Sequence, residues 1–263
     1  MKKLIGILLG IMVLVFSFGC SKKEDLTTLE KIKQKGELVI GTSASYPPYE
    51  FHKEVDGKDQ IVGFDIDIAK ELAKDLGVKL TIKDMKFDGL IAALTTNKID
   101  IIIAGMTPTE ERKQTVDFSD VYYTATQSIV IHKDDIGKFK SLDDLKNSKI
   151  GVQKGTIQEQ IAKEITNEED IKGLAKAADV VLQLKSKKID ALIFETPVAK
   201  AYASNNDELV FTNLKINSED NGSAIAINLN NDDLKEVLNE SLKNLKSEGK
   251  IYEFVANYSI EGE

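Results

Sequence analysis

Hydrophobic and polar positions along this chain switch repeatedly between two periods. Short apolar runs of strand length are followed by stretches in which apolar residues recur every three or four positions. That succession predicts an α/β protein. Glu37–Gly41 reads as a short buried strand that ends in a loop rich in turn formers. Ile61-Val62-Gly63-Phe64 leads into a helix with Asp65 as its cap, an apolar face of Ile68, Ala69, Leu72, Ala73 and Leu76, and a stop at Gly77. Lys79–Lys83 alternates as a strand, and Gly89–Thr96 reads as a small helix. Ile99–Ala104, apolar except for Asp100, has the character of a central parallel strand.

An internal echo organises the rest. Leu94-Thr95-Thr96-Asn97-Lys98-Ile99-Asp100-Ile101-Ile102-Ile103 recurs as Leu184-Lys185-Ser186-Lys187-Lys188-Ile189-Asp190-Ala191-Leu192-Ile193, and each copy runs on to a Thr-Pro pair. Helix, short turn and buried strand are spelled twice, which predicts two α/β lobes of similar build. Ligands of open α/β sheets bind beyond the carboxyl ends of the strands, so two such lobes facing each other make a cleft. Thr124–Val130 and Ser223–Asn228, read as crossings between lobes, place lobe 2 at 125–225. Lobe 1 is then 36–124 plus 226–263, with helices Asp232–Ser247 and Lys250–Tyr258 returning to it.

The N-terminus has a different character. Met1-Lys2-Lys3, an apolar run through Phe18, and Gly19-Cys20 have the basic start, apolar middle and small residue of a secretory signal at 1–19. Leu4–Phe18 falls short of the ~20 residues needed to span a bilayer. Cys20 is the only cysteine, so no disulfide forms within the chain. The segment resembles a bacterial lipoprotein leader, although Ser17 and Phe18 depart from its usual box. Cys20 is accordingly expected to carry lipid, followed by a solvated tether within 20–35. The net charge of −8 excludes nucleic acid as a partner. With two histidines at unrelated places, no metal site and no cofactor are expected.

Candidate chemistry gathers at strand ends. Gly105 follows a buried strand, and Thr107 to Glu110 spells a capping box with Pro108 at the first helical position. Free amides there favour an anion, and Arg112 lies where its fork clamps a carboxylate. Thr156 to Glu159, after strand Ile150–Gln153, spells a second box. Tyr46-Pro47-Pro48-Tyr49-Glu50-Phe51 is a proline-stiffened loop whose aromatics, with Phe87, suit the walls of a small-ligand site. Core packing is the better account of Tyr49 and Phe51. Glu195 ends an apolar strand, either to cap the Thr196-Pro197 turn or to meet a cation.

Gly63-Phe64-Asp65-Ile66-Asp67-Ile68-Ala69, Lys98-Ile99-Asp100-Ile101-Ile102, Gly105-Met106-Thr107-Pro108-Thr109-Glu110-Glu111-Arg112 and Val116-Asp117-Phe118-Ser119 together decide a family. From about Leu38 to Tyr258 the chain resembles a family-3 extracellular solute-binding protein, the amino-acid receptor of an ABC importer. The resemblance implies a two-lobed, hinged, periplasmic-binding-protein-like fold of type II. It also implies an extracytoplasmic, lipid-anchored monomer that delivers a polar amino acid, arginine or lysine first, to membrane permease subunits. Carried over, Arg112 and the amides of Thr107 and Thr156 would bind the α-carboxylate. The Gly105 carbonyl, the Thr107 hydroxyl and Glu195 would bind the α-ammonium. Tyr46 and Phe87 would sandwich the side chain, and Ser43, Glu50 and Gln153 would choose between side chains. Asp65 and Asp67 look structural. Most relatives carry Asp where this chain has Glu195, and receptors for cationic ligands often place an acid where it has Ser43. The alternative is a dehydratase-like enzyme on the same fold, with Glu195 as general acid.

Overall fold

The computed structural model describes residues 26–216 and 222–259. The leader, Cys20, the tether as far as Asp25, and residues 217–221 ahead of the second crossing lie outside the described residues. The chain opens with α1 (Thr28–Lys35), β1 (Glu37–Thr42), β2 (Ser45–Tyr46), β3 (Glu50–Val55), β4 (Lys58–Val62), α2 (Phe64–Asp75) and β5 (Lys79–Asp84). There follow α3 (Leu90–Thr95), β6 (Ile101–Ile102), α4 (Glu110–Lys113) and β7 (Val116–Phe118). The second lobe holds β8 (Gln127–His132), β9 (Ile150–Gln153), α5 (Ile157–Ile165), β10 (Ile171–Leu174), α6 (Ala177–Lys185), β11 (Ala191–Glu195), α7 (Thr196–Ser204) and β12 (Leu209–Phe211). The chain then returns with β13 (Ala226–Asn228), α8 (Asp232–Ser247) and α9 (Lys250–Tyr258).

Two five-stranded sheets result, β5-β1-β6-β13-β7 and β10-β9-β11-β8-β12, with a small β2-β3-β4 sheet beside the first. The sequence echo is a structural repeat. In each copy a helix ends, one residue takes the left-handed conformation (Asn97, φ 56°; Lys187, φ 54°), and a strand enters its sheet. Asp100 then accepts the Val39 N–H at 2.7 Å while its own N–H donates to the Val39 carbonyl at 2.8 Å. Asp190 does the same with Lys149, accepting at 2.8 Å and donating at 2.8 Å. Each aspartate therefore pins the register of its strand beside the preceding one. Glycine makes room for the isoleucine opposite in both lobes: a Cβ on Gly41 would lie 2.4 Å from the Ile99 Cδ1 and one on Gly151 2.3 Å from the Ile189 Cδ1, so each isoleucine would have to move.

The strand expected at Ile99–Ala104 pairs regularly only over Ile101–Ile102, because β13 runs antiparallel on its far side and meets it at a single residue pair. The end of the expected tether is also ordered. A reciprocal capping box between Thr27 and Glu30 starts α1, Gly36 in the left-handed conformation stops it, and buried Leu29 and Ile32 hold it on lobe 1. Between the lobes, the passage from β7 to β8 and the return to β13 pair with each other. The Tyr122 N–H donates to the Ser223 carbonyl at 2.9 Å, and the Ser223 N–H donates to the Tyr123 carbonyl at 2.7 Å. Leu234, Leu238, Leu242, Leu245 and Ile251 of α8 and α9 are buried in the first lobe's core. No described helix is long and apolar enough to cross a membrane.

Candidate functional site

The carboxyl ends of the two sheets face one cavity, lined by Tyr46, Glu50, Phe87, Ala104, Gly105, Thr107 and Arg112 from lobe 1 and by Gln153, Thr156, Ile157, Gln158 and Glu195 from lobe 2. Arg112 is held from three sides. Its Nη1 donates to the Thr107 carbonyl at 2.7 Å, its Nη2 donates to the Gly155 carbonyl across the cleft at 2.8 Å, and its guanidinium lies 5.4 Å from the Phe87 ring centroid. Such a hold fixes the plane of the fork, which is what two-point recognition of a carboxylate needs. Burial lowers the Arg112 pKa to about 10, which leaves it charged at neutral pH.

Glu195 projects from the end of β11 and is buried. It occupies the cap position of α7, yet its side chain makes no capping bond. Instead its carboxylate accepts the Tyr49 hydroxyl from the opposite lobe, and its N–H donates to the Tyr46 hydroxyl at 3.2 Å. Of the two roles open from sequence, capping is therefore excluded. Beneath the cavity floor, Asp65 Oδ2 accepts the Gly105 N–H at 2.8 Å and the Tyr122 hydroxyl at 2.9 Å. Burial pushes Asp65 up to about 7 and Glu195 up to about 8. Glu50 rises well above the usual carboxylate range, first through burial and then through the neighbouring Asp65 charge.

The lobes are closed on one another. Besides the Arg112 bond, Gln153 Nε2 donates to Ser43 Oγ at 3.1 Å, and the Tyr202 hydroxyl donates to the Ser45 carbonyl at 2.7 Å. Lys176 pairs with Asp84 at 3.1 Å. The architecture is that of two lobes closed over a cavity that holds one guanidinium and buried acids.

The family model for bacterial extracellular solute-binding proteins, family 3, matches residues 38–261. The chain belongs to this family. The arginine-binding extracellular protein ArtP of Bacillus subtilis is 42% identical over 220 residues, covering 82% of this chain and 84% of that one. A substrate-binding protein of an amino-acid ABC transporter from Streptococcus pneumoniae, solved bound to L-arginine, is 38% identical with a TM-score of 0.84, covering 87% of this chain and 96% of that chain. An ancestral amino-acid-binding protein described as a precursor of cyclohexadienyl dehydratase is 38% identical with a TM-score of 0.82, covering 89% and 100%. This solute-binding protein is thus a receptor and not an enzyme, and the dehydratase alternative is set aside.

Within this solute-binding fold, nine of the ten residues singled out from sequence line the cavity. The tenth, Ser43, stands behind Gln153 and holds its amide. Three local expectations are corrected. α4 is capped by Thr109, whose hydroxyl accepts the Arg112 N–H, so Thr107 is not the cap and its side chain is left to the cavity. A four-residue helix also carries little dipole. Thr156 stands at the cap position of α5, but its hydroxyl donates to the Gln153 carbonyl while Glu159 accepts the Gly155 N–H, so the box is not closed. Asp65 is no cap either, since Gly63 precedes α2 and Asp65 is fully buried against Gly105. Sequence reasoning missed Gln158, whose Nε2 donates to the buried Gln127 at 2.8 Å, and it missed the Tyr49 hydroxyl. The pairing of Gln127 with Glu195 across β8 and β11 is the only local sign of the former, and it requires the sheet register.

Proposed function

We propose that this protein captures a cationic amino acid, L-arginine first and L-lysine next, between its two lobes and delivers it to the permease of an ABC transporter. One observation carries the choice of ligand. Among the described residues, the ionisable acid and base groups lining the cavity are one guanidinium, Arg112, and two carboxyls, Glu50 and Glu195. Arginine and lysine carry the complement, one carboxylate and two cations. With a neutral amino acid one of the two buried carboxyls meets no counter-charge and has to stay protonated, so only a ligand with a second cation uses both. The arginine-bound relative supports the same reading.

In this reading Arg112, with the amides of Thr107 and Thr156, takes the α-carboxylate. Glu195, the Gly105 carbonyl and the Thr107 hydroxyl take the α-ammonium. Tyr46 and Phe87 flank the aliphatic stem, and Glu50, with Gln153 steadied by Ser43, faces the distal cation. The hinge between lobe 1 (36–124 plus 226–263) and lobe 2 (125–225) opens to admit the ligand. Lipid on Cys20 holds the receptor, as a monomer, at the outer face of the cell membrane. A thermal-shift screen over the common amino acids tests the ligand. At a hundred times its dissociation constant a ligand stabilises the fold by about 2.7 kcal/mol. Arginine should give the largest shift and lysine the next. A larger shift with a neutral or acidic amino acid would overturn the cationic assignment.

A further inference from the structure

Two carboxyl oxygens, Oε2 of the cavity-lining Glu50 and Oδ1 of Asp65 behind Gly105, are fully buried and find no donor among the described residues. The backbone brings the two residues together, since the Asp65 N–H donates at 3.0 Å to the carbonyl of Tyr49, the residue before Glu50, and each carboxyl acts on the other. Two acceptors cannot satisfy one another, but a single proton between them satisfies both. The groups acting on the pair are Glu195 from β11 and the phenols of Tyr122 from the crossing and Tyr46 from β2. All of these are acids or phenols. The cation of the cavity, Arg112, is engaged with Thr107, Gly155 and Phe87. Both members of the pair belong to lobe 1, on β3 and α2, so their neighbourhood is built within one lobe, while Glu195 reaches them only when the lobes are closed.

We infer that the Glu50–Asp65 pair holds one proton until a cationic side chain enters the cleft, and then exchanges that proton for the ligand's positive charge. This rests on the cationic-ligand reading above. The proton passes to solvent buffer, the ligand's distal cation takes its place against Glu50, and Asp65 keeps its bonds from Gly105 and Tyr122. The raised pKa values of both acids agree with a proton held at neutral pH. A neutral ligand would leave the proton in place. The pair would then act as an internal stand-in for the missing cation, and with arginine it would add one proton to the release from Glu195 that neutral ligands share.

Calorimetric titration of L-arginine in phosphate and in Tris, buffers of very different ionisation enthalpy, reads the proton count directly. Because Glu195 meets the α-ammonium of any amino acid and gives up a proton to it, the readout is the difference from L-citrulline: between pH 6 and 7 arginine should release close to one proton more, with affinity rising about tenfold per pH unit more steeply. Asp65→Asn should abolish that difference. Its oxygen still accepts from Gly105 and Tyr122, and its amide donates to Glu50 a hydrogen that does not ionise. If Asp65→Asn does not fold, Glu50→Gln provides the same readout, with weaker arginine binding and no release beyond that of citrulline. Arginine binding with no more release than citrulline overturns the exchange while leaving the functional reading intact. Release undiminished in the folded variant assigns the proton elsewhere and overturns the pair. No arginine binding at all overturns both.

Discussion

Arg112→Ala separates the proposed ligand site from a merely structural arginine. Arg112 is half-buried and its guanidinium makes two hydrogen bonds to carbonyls, one of them across the cleft. Its removal takes away the partner of the ligand carboxylate and one tie between the closed lobes. Losing one member of a desolvated charge pair costs ~2–5 kcal/mol. At ~1.4 kcal/mol per decade this is a weakening of ~30-fold to ~4,000-fold. The additional loss of the bond to Gly155 places the expectation in the upper half of that range. Arg112→Lys keeps the charge but not the planar fork, so about one charge-assisted bond is lost, ~1.5–3 kcal/mol. The assay is calorimetric titration with L-arginine and with L-argininamide, whose carboxylate is masked, after melting curves have shown that both variants fold. The amide should bind weakly and almost equally to wild type and Arg112→Ala. Wild-type affinity for arginine in Arg112→Ala, or an equal loss for the amide, would refute the carboxylate assignment.

Three further outcomes are expected. Gly63→Ala should cost more than ~3 kcal/mol in urea unfolding, the scale of a backbone clash at a special conformation: Gly63 has φ 132°, and a Cβ would lie 2.0 Å from the Tyr49 carbonyl oxygen. A change below ~1 kcal/mol would contradict that geometry. The melting temperature of the ligand-free protein should fall as pH rises from about 5 to 8, because Asp65 (about 7) and Glu195 (about 8) bind protons in the folded state that the unfolded chain has already lost. Asp84 and Asp117, held below the usual range, oppose this only under more acidic conditions. The fall is ~2–4 °C per kcal/mol, and saturating arginine should reduce it; a flat or rising profile would count against buried protonated acids. Cys20→Ser should release the protein from membranes or block its processing, as cell fractionation would show, whereas an unchanged membrane fraction would mean that the leader itself is the anchor.

Periodic elements were legible in the sequence because apolar spacing is a local property. The α2 face of Ile68, Ala69, Leu72 and Ala73 is buried as the pattern requires, and the echoed strands are true repeats. The residues gathered at the cavity were legible through family strings more than through local chemistry, since the Arg112 fork reaches Gly155, far along the chain. What stayed hidden depends on long-range partners. Asp65 looks like a helix cap until Gly105 and Tyr122 are brought against it, and Tyr49 looks like core packing until Glu195 arrives from the other lobe. Thr107 and Thr109 compete for one helix start. The contest is settled by the turn in which the Thr109 N–H donates to the Thr107 carbonyl at 3.0 Å.

The central claim, that the cleft selects a ligand with a second positive charge, is tested most directly by calorimetric titration of the wild-type protein with L-arginine and L-citrulline. The two have nearly the same shape, but the citrulline side chain is neutral. One saturable site is expected for arginine. Citrulline should bind at least about 30-fold more weakly, the low end of the cost of removing one partner from a buried charge pair. Equal affinity, or tighter binding of citrulline, would contradict the account.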